Sequence, residues 1–117
     1  MIEYREADAS ELETWDELTV RPAGGHVLQS RGWAEYRARA GWRPRFLVGS
    51  DGSGVLAITK VWPVLGGSSA YVSRGPIPDP VASAEVLASR LDGATRWLFA
   101  NGVDVVAADA QVRADTA

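Results

Sequence analysis

The segment that most constrains this chain is a short helical pattern followed at once by residues that end a helix. Ser30 is a favourable N-terminal cap, because its hydroxyl can accept a hydrogen bond from a free amide of the first turn. Trp33 and Tyr36 then share one helical face. Gly41 favours termination, and Pro44 prevents the helix from resuming. The chain is therefore expected to leave an amphipathic helix and to enter extended structure directly afterwards.

The rest of the chain alternates between strand and helix patterns. Ile2 and Tyr4 alternate with charged residues, which predicts a short first strand. Ser10 and Glu13 form a capping-box pattern ahead of the first helix. The predicted order is strand, helix, helix, three strands, helix, strand. The later strands are predicted at residues 45–49, 55–64, 69–73 and 103–107, the last of them buried. The third helix precedes that last strand, and its predicted apolar stripe is Leu87, Leu91, Ala94 and Leu98.

Composition excludes several classes of site. A chain of 117 residues is one domain or a piece of one. The absence of cysteine excludes disulfides, thiolate metal sites and cysteine nucleophiles, and the single histidine, His26, excludes a multi-histidine metal site within the chain. No stretch is apolar enough to span a membrane. The acidic N-terminus does not resemble a secretory signal, so a cytoplasmic location is expected.

Charge is unevenly distributed. Residues 1–17 carry seven acidic side chains, whereas residues 21–45 carry six arginines against Glu35. Arginine suits planar recognition of phosphate and carboxylate. A solvated helix surface explains the same run equally well.

Two segments, about forty residues apart, resemble the Fem family of peptidoglycan aminoacyltransferases. Residues 29–37 read QSRGWAEYR, similar to the family's Q-S-x-x-W-x-x-[YFV]-[KR] helix start. Residues 71–79 read YVSRGPIPD, similar to its Y-x-x-[RK]-G-P-[VIL]-x-D turn. The resemblance implies an α+β or α/β fold: a partial GNAT-like (acyl-CoA N-acyltransferase-like) mixed sheet flanked by helices. Residues 1–117 would then be the N-terminal portion of a single GNAT-like Fem domain, truncated and inactive alone.

The resemblance also implies an activity. Fem enzymes move an aminoacyl group from aminoacyl-tRNA to the stem-peptide amine of lipid II or UDP-MurNAc-pentapeptide. No cofactor is expected, because aminoacyl-tRNA is itself the activated co-substrate. The tRNA would be held by parts of the protein outside this chain, whose net charge of −3 does not suit nucleic acid. The protein would be peripheral to the inner membrane surface at most.

The candidate site residues follow from the two motifs. Arg37 is the predicted phosphate contact, and Arg74 is a charge fixed on a stiff turn. Asp79 and Asp109 are the candidate catalytic carboxylates, able to orient the amine or to accept its proton. The predicted substrate-binding set is Gln29, Ser30, Trp33, Tyr36, Arg37, Tyr71, Arg74 and Gly75.

Structural roles compete for most of these residues. Ser30 and Asp79 suit helix caps, and Trp33 and Tyr36 suit a core face. Trp15, Trp42, Trp62 and Trp97 are interpreted as packing residues, His26 as a loop or core residue, and Lys60 has no assigned role.

Two other functions stay open. An acetyl-CoA-dependent GNAT N-acetyltransferase is disfavoured by Pro76 and Pro78, which cannot donate amide protons to a diphosphate. A non-catalytic interaction module is the other. An unfinished sheet would leave residues 103–106 as an open apolar edge, which predicts association or aggregation.

Overall fold

The computed structural model describes residues 2–21, 27–62, 66–73 and 84–109. Strands and helices alternate along these residues in the predicted succession, except that the first predicted helix is divided into two short ones. In chain order the elements are β1 (Tyr4–Glu6), α1 (Ala9–Glu13), α2 (Trp15–Thr19), a 3-10 helix (Val27–Gln29), α3 (Arg31–Arg39), β2 (Arg43–Gly49), β3 (Gly54–Val61), β4 (Ser68–Ser73), α4 (Ala84–Ala100) and β5 (Val105–Asp109).

The strands form one mixed sheet in the order β1-β2-β3-β4-β5. Neighbours from β1 to β4 run antiparallel, whereas β4 and β5 run parallel. A parallel pair needs a long crossover connection, and α4 lies between these two strands in the sequence. The predicted mixed sheet flanked by helices is therefore confirmed.

Helices cover the two faces of the sheet differently. Successive side chains of a strand point to opposite faces. Val55 and Ala57 of β3 belong to a core cluster with Leu98 of α4. The intervening Leu56 belongs to a second cluster, with Trp15 of α2 and Ala34 of α3. We call these surfaces the α4 face and the α3 face of the sheet.

The apolar stripe of α4 forms the larger core. Leu87, Ala94 and Leu98 are buried, as predicted, and Leu98 is fully enclosed. Gly93 lies directly on β1, where an added Cβ would overlap the carbonyl oxygen of Ile2. A side chain at this position would therefore push α4 away from the sheet.

A polar network ties the β2–β3 hairpin to α4. Asp51 accepts hydrogen bonds from the Ser53 amide at 3.0 Å and from Arg90 Nε at 2.9 Å. Burial opposes ionisation of Asp51, but these hydrogen bonds outweigh it and hold its pKa below the ordinary value. The Tyr4 hydroxyl lies 2.7 Å from Ser53 Oγ. Burial raises the pKa of Tyr4 to about 12.

The predicted cap of the first helix is wrong by two residues. The capping box uses Asp8 and Glu11: Asp8 Oδ1 accepts from the Glu11 amide at 2.9 Å, and Glu11 Oε1 accepts from the Asp8 amide at 2.9 Å. Ser10 instead donates its hydroxyl to Asp8. Asp8 Oδ1 thus accepts from both the Glu11 amide and the Ser10 hydroxyl, and hydrogen bonds to a carboxylate are stronger than those to a neutral hydroxyl. A bidentate contact from Arg5 also lowers the pKa of Glu11 to about 2.

The last strand is less buried than its apolar sequence predicts. Val103 is buried but precedes the strand, and Val105 is 48% exposed. β5 is the terminal strand of the described sheet and pairs with β4. An apolar run shows that a strand is suitable for burial, but it does not show whether another element covers it. The predicted open edge is present among the described residues, and the association it would promote stays a prediction.

Candidate anion-binding site

The ends of α3 determine where its functional side chains lie. Ser30 caps the helix as predicted, its Oγ accepting from the Trp33 amide at 3.0 Å. After the helix, Gly41 adopts a φ of 92°, a left-handed conformation that costs glycine little. The Trp42 amide then donates to the Arg37 carbonyl at 3.1 Å. The last turn of α3 is therefore joined directly to the residue that precedes β2.

Aromatic and cationic side chains meet at this junction. The guanidinium carbon of Arg37 lies 4.9 Å from the ring centroid of Trp42 and 5.6 Å from that of Trp33. Lys60 Nζ lies 5.2 Å from the Trp42 ring, and Trp33 stacks on Tyr36 at 5.5 Å. We call these five residues the Trp42 cluster. Arginine and lysine near indole faces are attracted by the ring quadrupole.

Strand register explains why Lys60 reaches this cluster. Arg43 of β2 pairs with Thr59 of β3, so Trp42 stands one position before the paired residues and Lys60 one position after them. Lys60 therefore lies opposite Trp42, at the end of the hairpin away from its loop. Because Leu56 is on the α3 face, alternation places Lys60 on that face too.

The Trp42 cluster carries positive charge that no acidic side chain in the described part of the chain neutralises. Among the described residues, no carboxylate oxygen lies within ion-pairing distance of Arg37 or Lys60. Arg37 Nε and Trp33 Nε1 are buried and have no hydrogen-bond partner there. Buried donors without acceptors are costly, and an ordered water or a bound anion commonly supplies the missing acceptor. The arrangement is therefore suited to binding an anion.

Gln29, in the 3-10 helix before α3, has its side-chain polar atoms engaged in hydrogen bonds within the fold. Its side-chain Nε2 donates to the Leu56 carbonyl at 3.1 Å, and its Oε1 accepts from the Leu56 amide at 2.7 Å. Its own carbonyl accepts from Trp15 Nε1 and Thr19 Oγ1. Gln29 is fully buried, so it holds the 3-10 helix on β3. We therefore assign it to the fold and leave it out of the proposed site.

Tyr71 occupies the same face of the sheet as Lys60 but not the Trp42 cluster. It pairs with Ile58 of β3 and with Ala107 of β5, while Ser69 pairs with Lys60. Tyr71 is 37% exposed. Its ring therefore lies on the open part of the α3 face, two strand positions from the residue opposite Lys60.

The second motif falls largely outside the described residues. Arg74, Gly75 and Asp79 lie there, and their predicted roles stay predictions. Asp109 ends β5, where its backbone pairs with Ser73. The register therefore places the last residue of β5 beside the residue that precedes the motif's arginine. Whether a carboxylate serves catalysis stays a prediction for both Asp79 and Asp109.

Two members of the cluster were missed by sequence reasoning. The sequence indicates only a packing role for Trp42 and no role for Lys60, because their proximity depends on the pairing of β2 with β3. Trp42 and Lys60 lie at nearly equal distances in sequence on either side of the hairpin loop at residues 50–53. That symmetry is a usable signal that the two residues face each other across the hairpin. Of the other tryptophans, Trp15 is fully buried and Trp97 contacts the core of the α4 face, as predicted.

Neither a metal site nor a membrane span is evident in the part of the chain that the structure describes. No group of three or more acidic, histidine or cysteine side chains there is arranged to hold a metal ion. None of the described helices combines the length and apolarity needed to cross a bilayer.

Comparison with solved structures links this geometry to a family. The fold is similar to the crystal structure of FemX, with a TM-score of 0.73 and 26% sequence identity over 97% of this chain. The chain is Fem-like. It spans 28% of the FemX chain. The part of FemX that it matches is thus a minority of that protein.

One more distant similarity supports the Fem-like chain's fold alone. A transcriptional regulator from Bacillus halodurans C-125 matches with a TM-score of 0.54 and 16% identity, over 100% of this chain and 87% of that one. An acetyltransferase from Trypanosoma brucei matches with a TM-score of 0.43 and 19% identity, over 95% of this chain and 84% of that one, a similarity too low to argue from. No protein-family model and no curated protein sequence matched.

Proposed function

We propose that this chain forms the acceptor-binding part of an aminoacyltransferase of peptidoglycan cross-bridge synthesis. The observation that carries the proposal is the similarity to FemX over 97% of the chain. It is combined with Arg37 on α3, which has no acidic partner among the residues that the structure describes. The acceptor would be lipid II or UDP-MurNAc-pentapeptide, and the donor aminoacyl-tRNA. The reaction would take place on the cytoplasmic side of the membrane, where such tRNA is present.

The proposed role of Arg37 is to bind a phosphate of the acceptor. Its guanidinium lies between two indole rings, so the side chain has lost much of its freedom before a ligand arrives. A preorganised arginine loses less entropy for each hydrogen bond that it forms. The stem peptide would then extend across the open α3 face, where Tyr71 is accessible.

The transfer step itself needs orientation and removal of one proton. The stem-peptide amine attacks the carbonyl carbon of the aminoacyl ester, the new N–C bond forms, and the C–O bond to the tRNA ribose breaks. A carboxylate accepts the proton of the amine and passes it to the ribose oxygen, which leaves as a hydroxyl. Asp79 and Asp109 are the candidates for that carboxylate in this chain. Contacts to the tRNA are proposed to lie in parts of the protein outside this sequence.

The proposal is tested by thermal unfolding of the chain with UDP-MurNAc-pentapeptide. A ligand at a hundred times its Kd should stabilise the protein by about 2.7 kcal/mol. Arg37→Gln should abolish most of this shift. Arg39→Gln is the matched control, because Arg39 is an exposed arginine of the same helical turn.

Acetyl-CoA in a parallel titration distinguishes the alternative. The GNAT-like fold is compatible with an acetyltransferase, for which the same chain would be stabilised by acetyl-CoA and not by the peptidoglycan precursor. That result would replace the proposed function. Equal shifts in Arg37→Gln and Arg39→Gln would remove Arg37 from the site.

A further inference from the structure

The Trp42 cluster contains a second cation that the Fem-like motifs do not include. Lys60 Nζ lies 5.2 Å from the same indole that Arg37 contacts at 4.9 Å. The two positive groups belong to different elements, since Arg37 comes from α3 and Lys60 from the end of β3. Trp42 thus brings together two charges that are far apart in sequence.

Both cations lack an acidic partner among the described residues, and Lys60 is exposed. Two like charges held at one ring repel each other, and that repulsion is relieved when an anion binds both. An exposed lysine with nothing to hold it would extend into water instead. The cation–π contact keeps its ammonium group at the cluster.

We propose that Lys60 is a second anion-binding group and that, with Arg37, it makes the Trp42 cluster a diphosphate site. Arginine provides a planar fork for one phosphate, and lysine provides a compact charge for the other. The ligand class is therefore a diphosphate ester rather than a monophosphate. The inference deepens the proposed function, on which it rests for the identity of that diphosphate as part of the acceptor.

Calorimetric titration with inorganic pyrophosphate and with orthophosphate tests this without any nucleotide. The wild-type chain should bind pyrophosphate more tightly than orthophosphate. Lys60→Gln should weaken pyrophosphate binding about tenfold, the loss expected for one charge-assisted contact, and should remove most of the preference. Arg37→Gln should lower the affinity for both ligands, and Arg39→Gln should change neither affinity.

Selective chemical labelling gives a second readout on the unmutated protein. Lys60 is the one lysine of the chain, so an amine-reactive reagent can modify Lys60 and the N-terminal amine only. Pyrophosphate should slow acetylation of Lys60, measured by mass spectrometry of peptides, and leave the rate at the N-terminus unchanged. Equal rates with and without pyrophosphate would overturn the proposal.

The remaining outcomes separate this inference from the proposed function. Wild-type affinity for pyrophosphate in Lys60→Gln, or no pyrophosphate binding by the wild-type chain, would remove the second cation from the site. Dependence on both cations for pyrophosphate, without binding of UDP-MurNAc-pentapeptide, would support the diphosphate site and contradict the Fem-type acceptor. Binding of that precursor through Arg37 but not Lys60 would support the Fem-type acceptor and contradict the diphosphate site.

Discussion

The two faces of the sheet each hold an arginine against a tryptophan, and they treat its charge differently. On the α4 face, Arg45 lies 4.9 Å from the ring of Trp97, and its Nε is 3.2 Å from Glu6 Oε1. On the α3 face, Arg37 contacts the rings of Trp33 and Trp42, and no carboxylate of the described residues lies within ion-pairing distance of it. The same pair of residue types thus makes a neutralised packing contact in one place and an unneutralised charge in the other.

This difference separates structural from functional charge. Arg45 and Arg90 on the α4 side both have acidic partners, Glu6 and Asp51. Such pairs contribute to holding β1, the hairpin and α4 together, and they leave no charge for a ligand. Arg37 has no acidic partner within the described ranges and therefore retains its field for an incoming anion. We therefore expect substitutions on the α4 face to change stability and those in the Trp42 cluster to change binding.

The largest effect should follow truncation of the α4-face core. Leu98→Ala removes a fully buried side chain and should lower the free energy of unfolding by about 3 kcal/mol. Phe99→Ala is the matched control, because Phe99 is the next residue of the helix and its side chain is 50% exposed. Its truncation should change the free energy of unfolding little. Urea denaturation followed by tryptophan fluorescence measures both. Similar losses in the two variants would show that α4 is not docked as described.

The next effect concerns Gln29, a predicted binding residue that the structure uses in the fold. Gln29→Ala leaves the amide and carbonyl of Leu56 without partners, so unfolding should become easier by about 2 kcal/mol. Affinity for the precursor, measured on the fraction that remains folded, should be unchanged. A stable Gln29→Ala protein that no longer binds the precursor would restore Gln29 to the site and weaken the distinction between structure and binding.

A smaller effect compares the two stacked arginines directly. Arg37→Gln should reduce affinity for pyrophosphate by about tenfold, since it removes a charge-assisted contact. Arg45→Gln should leave that affinity unchanged while lowering the melting temperature, because Glu6 loses its partner. Calorimetric titration gives the pyrophosphate affinity of each variant, and thermal melts give the melting temperature of each. Equal affinities in the two variants would mean that the faces do not differ in function.

The last effect, which is absent at neutral pH, is an alkaline loss of stability on the α4 face. Burial raises the pKa of Tyr4 to about 12, whereas an unfolded tyrosine ionises near pH 10. Between these two pH values the folded state keeps a proton that the unfolded state releases. The contribution of Tyr4 to the free energy of unfolding is therefore fully present below pH 10 and is lost as the pH rises toward 12. Tyr4→Phe should show a shallower decline in urea midpoints over this range. Parallel curves for the two proteins would exclude Tyr4 as the cause.

Local sequence patterns predicted much of the fold because their causes are local. The Ser30 cap, the glycine that ends α3 and the apolar stripe of α4 each depend on residues within a few positions of one another. The same approach chose Ser10 as the first cap, where Asp8 with Glu11 offered a stronger set of hydrogen bonds. It also predicted a buried last strand, since apolarity alone does not show which face another element will cover.

The candidate site divides in the same way. The sequence by itself determined that a basic residue, Arg37, follows Trp33 and Tyr36 on a capped helix, and hence that a Fem-like phosphate contact was worth expecting. Only the tertiary structure decided which charges remain unneutralised and which residues join them. Trp42 and Lys60 meet because β2 pairs with β3 in one register, and register depends on the whole sheet and its covering helices rather than on neighbours in the chain.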